Sequence, residues 1–135
     1  MSYRIEEIEG IGPSYGKTLA MAGVHTTERL LELGASSKGR NELSELTGIS
    51  SAVILKWCNQ ADLMRVKGIG RQYAELLEAA GVDTVKELRN RNPENLTAAL
   101  EAVNEKKRLA RALPAVSVVR SWVERARDLN PAITY

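Results

Sequence analysis

The stretch Ile8-Glu9-Gly10-Ile11-Gly12-Pro13-Ser14-Tyr15-Gly16-Lys17-Thr18-Leu19 returns 58 residues later as Val66-Lys67-Gly68-Ile69-Gly70-Arg71-Gln72-Tyr73-Ala74-Glu75-Leu76-Leu77. The identity runs on past it. Ala22-Gly23-Val24 matches Ala80-Gly81-Val82, Thr26 matches Thr84, and Leu30 matches Leu88. A fixed-offset repeat says that one supersecondary unit has been used twice, and it dictates how every other segment is read. Further along the offset grows to 65, with Trp57 matching Trp122 and Ala61 matching Ala126. The second copy therefore carries about seven extra residues between Arg91 and Leu113.

Punctuation and periodicity divide each copy into short helices. In the first copy a helix is expected over residues 2–8, broken by Gly10-Ile11-Gly12. The next opens on Pro13, whose missing N–H is not needed at a first helical position, and stops at Gly23. Thr26 caps a connector helix ending near Gly34, a fourth helix spans residues 38–46, and Ser50 or Ser51 opens a fifth reaching Leu63. In that fifth helix Val53, Ile54, Trp57, Cys58 and Ala61 recur at helical spacing and mark one buried face. The second copy repeats the plan. Thr84 to Glu87 reads as a capping box, Asn92-Pro93 as a cap and first-turn proline, and Leu113-Pro114 as the break after a long fourth helix. The last helix is expected over residues 115–129. No segment sustains period-two alternation, so no sheet is expected. The fold class that follows is all-α, two tandem five-helix units with a boundary between 1–63 and 64–135.

The Gly-Ile-Gly pair has a physical logic. Glycines let the backbone turn tightly and adopt positive φ. The isoleucine plugs the turn into the core, and the small residue four places on, Gly16 or Ala74, lets two helices cross closely. With its hydrophobic flanks (Ile5 and Ile8, Leu63 and Val66) this pattern resembles the helix-hairpin-helix motif. Thr47-Gly48-Ile49-Ser50 and Leu113-Pro114-Ala115-Val116 occupy the place of a second, degenerate hairpin in each copy. The arrangement is similar to the five-helix double helix-hairpin-helix domain, related to SAM-like folds. Through Lys38-Gly39-Arg40, Leu55-Lys56-Trp57 and Asn92-Pro93-Glu94-Asn95-Leu96 nearly the whole chain also resembles DUF4332, a bacterial helix-hairpin-helix-like family of unknown function. The resemblance implies a hairpin whose amides, at a helix N-terminus, bind a nucleic-acid phosphate without reading sequence.

Composition bounds the alternatives. The 135 residues contain no Phe and only 4% aromatics, so the core is aliphatic. Net charge is +2, but residues 1–63 carry −2 and residues 64–135 carry +4, so an anionic partner is expected on the second half. Arg65, Lys67 and Arg71 surround Gly68-Ile69-Gly70, whereas Glu6, Glu7 and Glu9 flank Gly10 and Gly12, countered by Lys17 and Arg4. The expected nucleic-acid site is therefore Gly68, Ile69, Gly70, Arg71, Lys67 and Arg65, with Gly10, Gly12 and Lys17 at the weaker first hairpin. Few phosphates would be engaged, giving a salt-sensitive affinity of roughly 10⁻⁴–10⁻⁶ M. A protein-interaction scaffold remains the alternative. The lone Cys58 permits no internal disulfide, and no apolar run reaches a membrane span, so a cytoplasmic, membrane-free protein is expected. His25 stands alone, no nucleophile–base pair or phosphate loop is present, and neither enzyme activity, a metal nor a cofactor is expected. Trp57, Trp122, Tyr15 and Tyr73 read as packing residues in preference to stacking platforms.

Overall fold

The computed structural model describes residues 2–135. Eight α-helices follow one another: α1 (Pro13–Met21), α2 (Thr27–Gly34), α3 (Ser37–Thr47), α4 (Ser51–Leu63), α5 (Arg71–Ala79), α6 (Val85–Leu88), α7 (Pro93–Lys107) and α8 (Val116–Arg127). A 3-10 turn, Ile5–Glu7, precedes them, and the described residues contain no strand. No helix among them is long and apolar enough to cross a membrane.

Local chemistry explains where the helices begin. Side-chain oxygens of Thr26, Ser36, Ser50, Thr84 and Asn92 accept backbone N–H groups in the first turns of α2, α3, α4, α6 and α7. Each such cap is worth about 1 kcal/mol. At α6 the box is displaced: Thr84 Oγ1 accepts the Glu87 N–H, while Glu87 Oε2 accepts from Asp83 instead of Thr84. Helices α1, α5 and α8 differ, since Gly12, Gly70 and Ala115 offer no side-chain cap.

The 58-residue offset is visible in the hydrogen bonds. Ile8 N–H donates to Ile5 O (3.2 Å) and Val66 N–H to Leu63 O (3.1 Å). Ile11 to Ile8 and Ile69 to Val66 are both 3.1 Å, and Val24 to Leu19 and Val82 to Leu77 are both 2.9 Å. Later the copies drift. Helix α2 has 8 residues against 4 in α6, and α3 has 11 against 15 in α7. The left-handed stop that Gly48 supplies after α3 is made after α7 by Arg108, at φ 50°. Helix α7 thus ends at Lys107, six residues before the expected Leu113-Pro114 break, and residues 108–115 form an irregular connector.

The expected helix over residues 2–8 is replaced by an extended segment and the short 3-10 turn. Tyr3 O accepts the Thr27 N–H (2.9 Å) and His25 O accepts the Ile5 N–H (2.9 Å), so tertiary pairing takes the backbone groups that a helix would have used. In the second half, α4 itself occupies this place, and the buried carboxylate of Asp62 accepts the Val85 N–H (2.9 Å) where a main-chain carbonyl served Thr27.

The core is continuous across both halves, joining Ile5, Ile11, Leu19, Leu30, Ile54 and Trp57 to Ile69, Leu77, Leu88, Leu100 and Trp122. Helix α4 packs against α2, α3 and α5, and α8 against α7 and α6. Each fully buried Leu or Ile contributes about 1.5–3 kcal/mol. Close packing also sets single positions: a Cβ on Gly34 would lie 2.5 Å from Cys58 Sγ. The C-terminal segment returns to the first half. Thr134 N–H donates to Ala35 O (2.8 Å), and buried Arg40 donates to Gly34 O, Ala35 O and Thr134 O.

Candidate nucleic-acid interface

The two Gly-Ile-Gly turns have the same backbone, but their glycines are not equivalent. Gly10 and Gly68 have φ of 94° and 98°, a region that side chains rarely enter. Gly12 (φ −89°, ψ −169°) and Gly70 (φ −103°, ψ −161°) are extended, open to any residue, with nothing within 4 Å of where a Cβ would stand. The first glycine is thus required by the turn, and the second is not. Between them Ile11 and Ile69 are buried plugs. The small residue four places after the second glycine is buried in both copies, Gly16 in one, against the Glu6 side chain, and Ala74 in the other.

Each turn rests on a tryptophan. A Cβ on Gly10 would lie 3.6 Å from Trp57 Nε1, and one on Gly68 would lie 3.1 Å from Trp122 Nε1. Tyr15 packs on Trp57 and Tyr73 on Trp122, each with ring centroids 5.1 Å apart. Both indoles are core residues. The Trp122 N–H is buried without an acceptor, an arrangement that ordinarily costs about 1–3 kcal/mol.

Electrostatics separate the turns. At equivalent positions Glu9 becomes Lys67, Pro13 becomes Arg71 and Gln60 becomes Arg125. Arg125 Nη1 donates to the Lys67 carbonyl (2.9 Å) and so sits directly over the second turn. Lys67 is exposed and makes no ion pair among the described residues. The two arginines expected beside it are committed elsewhere. Arg65 is held by buried Asp62 (2.6 Å) and by Asn130 O (2.8 Å). Arg71 turns from its own helix to donate to Glu7 O (3.1 Å) and Glu6 O, and pairs with Glu9 at 3.6 Å. Its guanidinium ties the two turns side by side. Lys17 is exposed on α1, and its counterpart in α5 is Glu75.

Two cations outside the expected site residues, Arg111 and Arg125, also stand near the second turn. The Arg111 N–H donates to Gln72 Oε1 (3.3 Å) and the Tyr73 hydroxyl to Ala112 O (3.2 Å), so the connector lies against the first turn of α5. Arg125 was legible as the departure from Gln60 at the 65-residue offset; the approach of Arg111 to Gln72 had no local signal.

A cleft of about 620 Å³ lies between the first turn, α4, α5 and the end of α7. Glu9, Glu75 and Glu78 line it with Lys56 and Lys107. Burial, then the neighbouring charges of Glu9 and Glu78, push the Glu75 carboxyl above its ordinary range. Three carboxylates against two ammonium groups make this a poor seat for phosphate. The described residues hold no His, Cys, Asp and Glu grouping suited to a metal ion.

The model of a family described as a domain of unknown function, DUF4332, matches residues 9–129. No curated protein and no solved structure matches the chain.

Proposed function

The chain belongs to the DUF4332 family, whose description names no activity, and we propose from its site geometry that it is a non-catalytic, sequence-independent binder of nucleic-acid backbone. In this reading it consists of two tandem double helix-hairpin-helix units, 1–63 and 64–135, with the Ile5–Glu7 turn standing for the first helix of one and the end of α4 for that of the other, and it works in the cytoplasm. The second Gly-Ile-Gly turn is the phosphate seat. The observation that carries the reading is Gly70. It stands at the N-cap of α5 with neither a conformational nor a steric reason to be glycine, and it leaves the first amides of the helix uncapped. Those amides and the positive helix end suit a phosphate oxygen. Lys67, Arg125 and Arg111 supply the surrounding charge. Gly12 is equally bare, but Pro13 removes one amide and Glu9 repels anions.

The test separates binding from folding. In fluorescence anisotropy with labelled oligonucleotides at low salt, Gly70→Ser is expected to weaken binding at least about fivefold, because a serine cap occupies the same amides. Stability in urea should be unchanged or slightly raised. Lys67→Glu should weaken binding similarly and flatten its salt dependence. Full binding by both variants refutes the reading.

A second reading, a protein-docking scaffold, draws on the exposed side chains of Leu113, Val116 and Val118 beside the connector.

A further inference from the structure

The surroundings of the second turn point to one class of ligand, and we infer that this face takes single-stranded in preference to duplex nucleic acid. The inference rests on the phosphate reading above and adds the strand type.

An uncapped helix N-terminus and the connector come together here. Gly70 opens α5 without a side-chain cap, and the connector runs on to Ala115, which opens α8 without one. The Arg111–Gln72 and Tyr73–Ala112 hydrogen bonds tie the connector to the first turn of α5, and the Arg111 side chain is exposed. Helix ends alone do not define a ligand, since most are simply hydrated. The buried Trp122 N–H is independent evidence. It is 1% exposed, has no acceptor in the protein, and its Nε1 is the atom nearest Gly68, 3.1 Å from where a Cβ there would stand. Arg125 Nη1 stands 3.9 Å from the same Cβ position. A negative charge held above the turn lowers the energy of both donors.

The flanks decide the strand type. The acidic first turn lies beside the second, with Glu6, Glu7 and Glu9 drawn close by Arg71. At the end of the connector Leu113 and Val116 bracket Pro114 at 45% and 38% exposure. A duplex is stiff, hides its base faces in the stack and presents two rows of phosphate at a fixed separation. Its second row would meet either carboxylates or bare aliphatic surface. A single strand follows the donors from Gly70 toward Arg111, turns away from the glutamates, and lays unstacked bases on Leu113 and Val116.

The experiment uses the full chain with a labelled oligothymidylate and a labelled duplex of equal length, titrated at low salt. The single strand is expected to bind on the order of tenfold more tightly. Leu113→Ser with Val116→Ser should weaken single-strand binding roughly threefold or more, as lost apolar contact does, and leave duplex binding unchanged. Both positions are exposed, and unchanged circular dichroism verifies the fold of the variant. The chain has two tryptophans, so indole N–H resonances supply a second readout: that of Trp122 should move on oligothymidylate addition, and that of Trp57 should stay. Duplex binding as tight as single-strand binding, still abolished by Gly70→Ser, overturns the strand preference and leaves the phosphate seat standing. Single-strand binding insensitive to Leu113→Ser/Val116→Ser also overturns it. Absence of binding to either oligonucleotide removes both proposals and leaves the apolar connector to a protein partner.

Discussion

Replacing the two glycines of one turn by alanine should have opposite consequences, and the pair Gly68→Ala and Gly70→Ala tests the reading of the turn. At Gly68 the backbone has φ 98°, and an L-residue in a left-handed conformation costs roughly 1–2 kcal/mol. The new methyl would also stand 3.1 Å from Trp122 Nε1, tighter than ordinary van der Waals contact. Trp122 is 1% exposed and packed against Tyr73, so it has little freedom to yield, and overpacking of this kind adds about 1–3 kcal/mol. The combined loss is about 2–5 kcal/mol, a large part of the 5–15 kcal/mol typical of a domain. At Gly70 the backbone is extended and a methyl meets nothing within 4 Å. Alanine there gains about 0.4–1 kcal/mol by restricting the unfolded chain and gives back a similar amount as a poor N-cap. The net change is about zero. Urea unfolding followed by helical circular dichroism measures both. Equal losses at the two sites, or the larger loss at Gly70, would refute the assignment of the turn to the first glycine alone.

Two further expectations concern ionisable groups away from the turn. Burial first, with a smaller contribution from Asp62 and against the opposing pull of Arg40, pushes the Cys58 thiol up to about 12. A thiol-specific disulfide reagent at pH 8 should therefore label the native protein only as fast as it unfolds and label it at once in urea; prompt native labelling contradicts the burial. Glu75 has its folded-state pKa raised, so the folded protein binds the extra proton and stability falls as pH rises from the ordinary glutamate value, about 4.3, through the raised one. Glu75→Gln should raise Tm at pH 7, with the advantage vanishing below the ordinary value. An advantage independent of pH would mean that packing, not charge, is responsible.

Much of this was legible in the chain because its signals are local. Thr26, Thr84 and Asn92 were readable as caps, since a cap needs only its own side chain and the amides of the following turn. Trp57 and Trp122 were readable as core anchors from helical spacing, and both are buried. What misled was also local. The Ile-Glu-Glu-Ile segment has helix-forming residues, yet pairing with residues 25–27 holds the chain before it extended and leaves one 3-10 turn. Arg65 is held by Asp62 only three residues away, a spacing that the sequence displays. Arg71 looked free because charge in a sequence carries no address: the carbonyls of Glu7 and Glu6 that engage it lie 64 and 65 residues away.

The sequence by itself determined the all-helical class, the 58-residue repeat and the position of both Gly-Ile-Gly turns. These follow from periodicity, capping and glycine chemistry, which act over a few neighbouring residues. Only the tertiary structure decided which glycine of each pair the turn requires and which cations remain free. It also brought the connector against the first turn of α5. The physical reason is that backbone torsion, ion pairing and helix adjacency depend on groups brought together from distant parts of the chain, and no local pattern records their meeting.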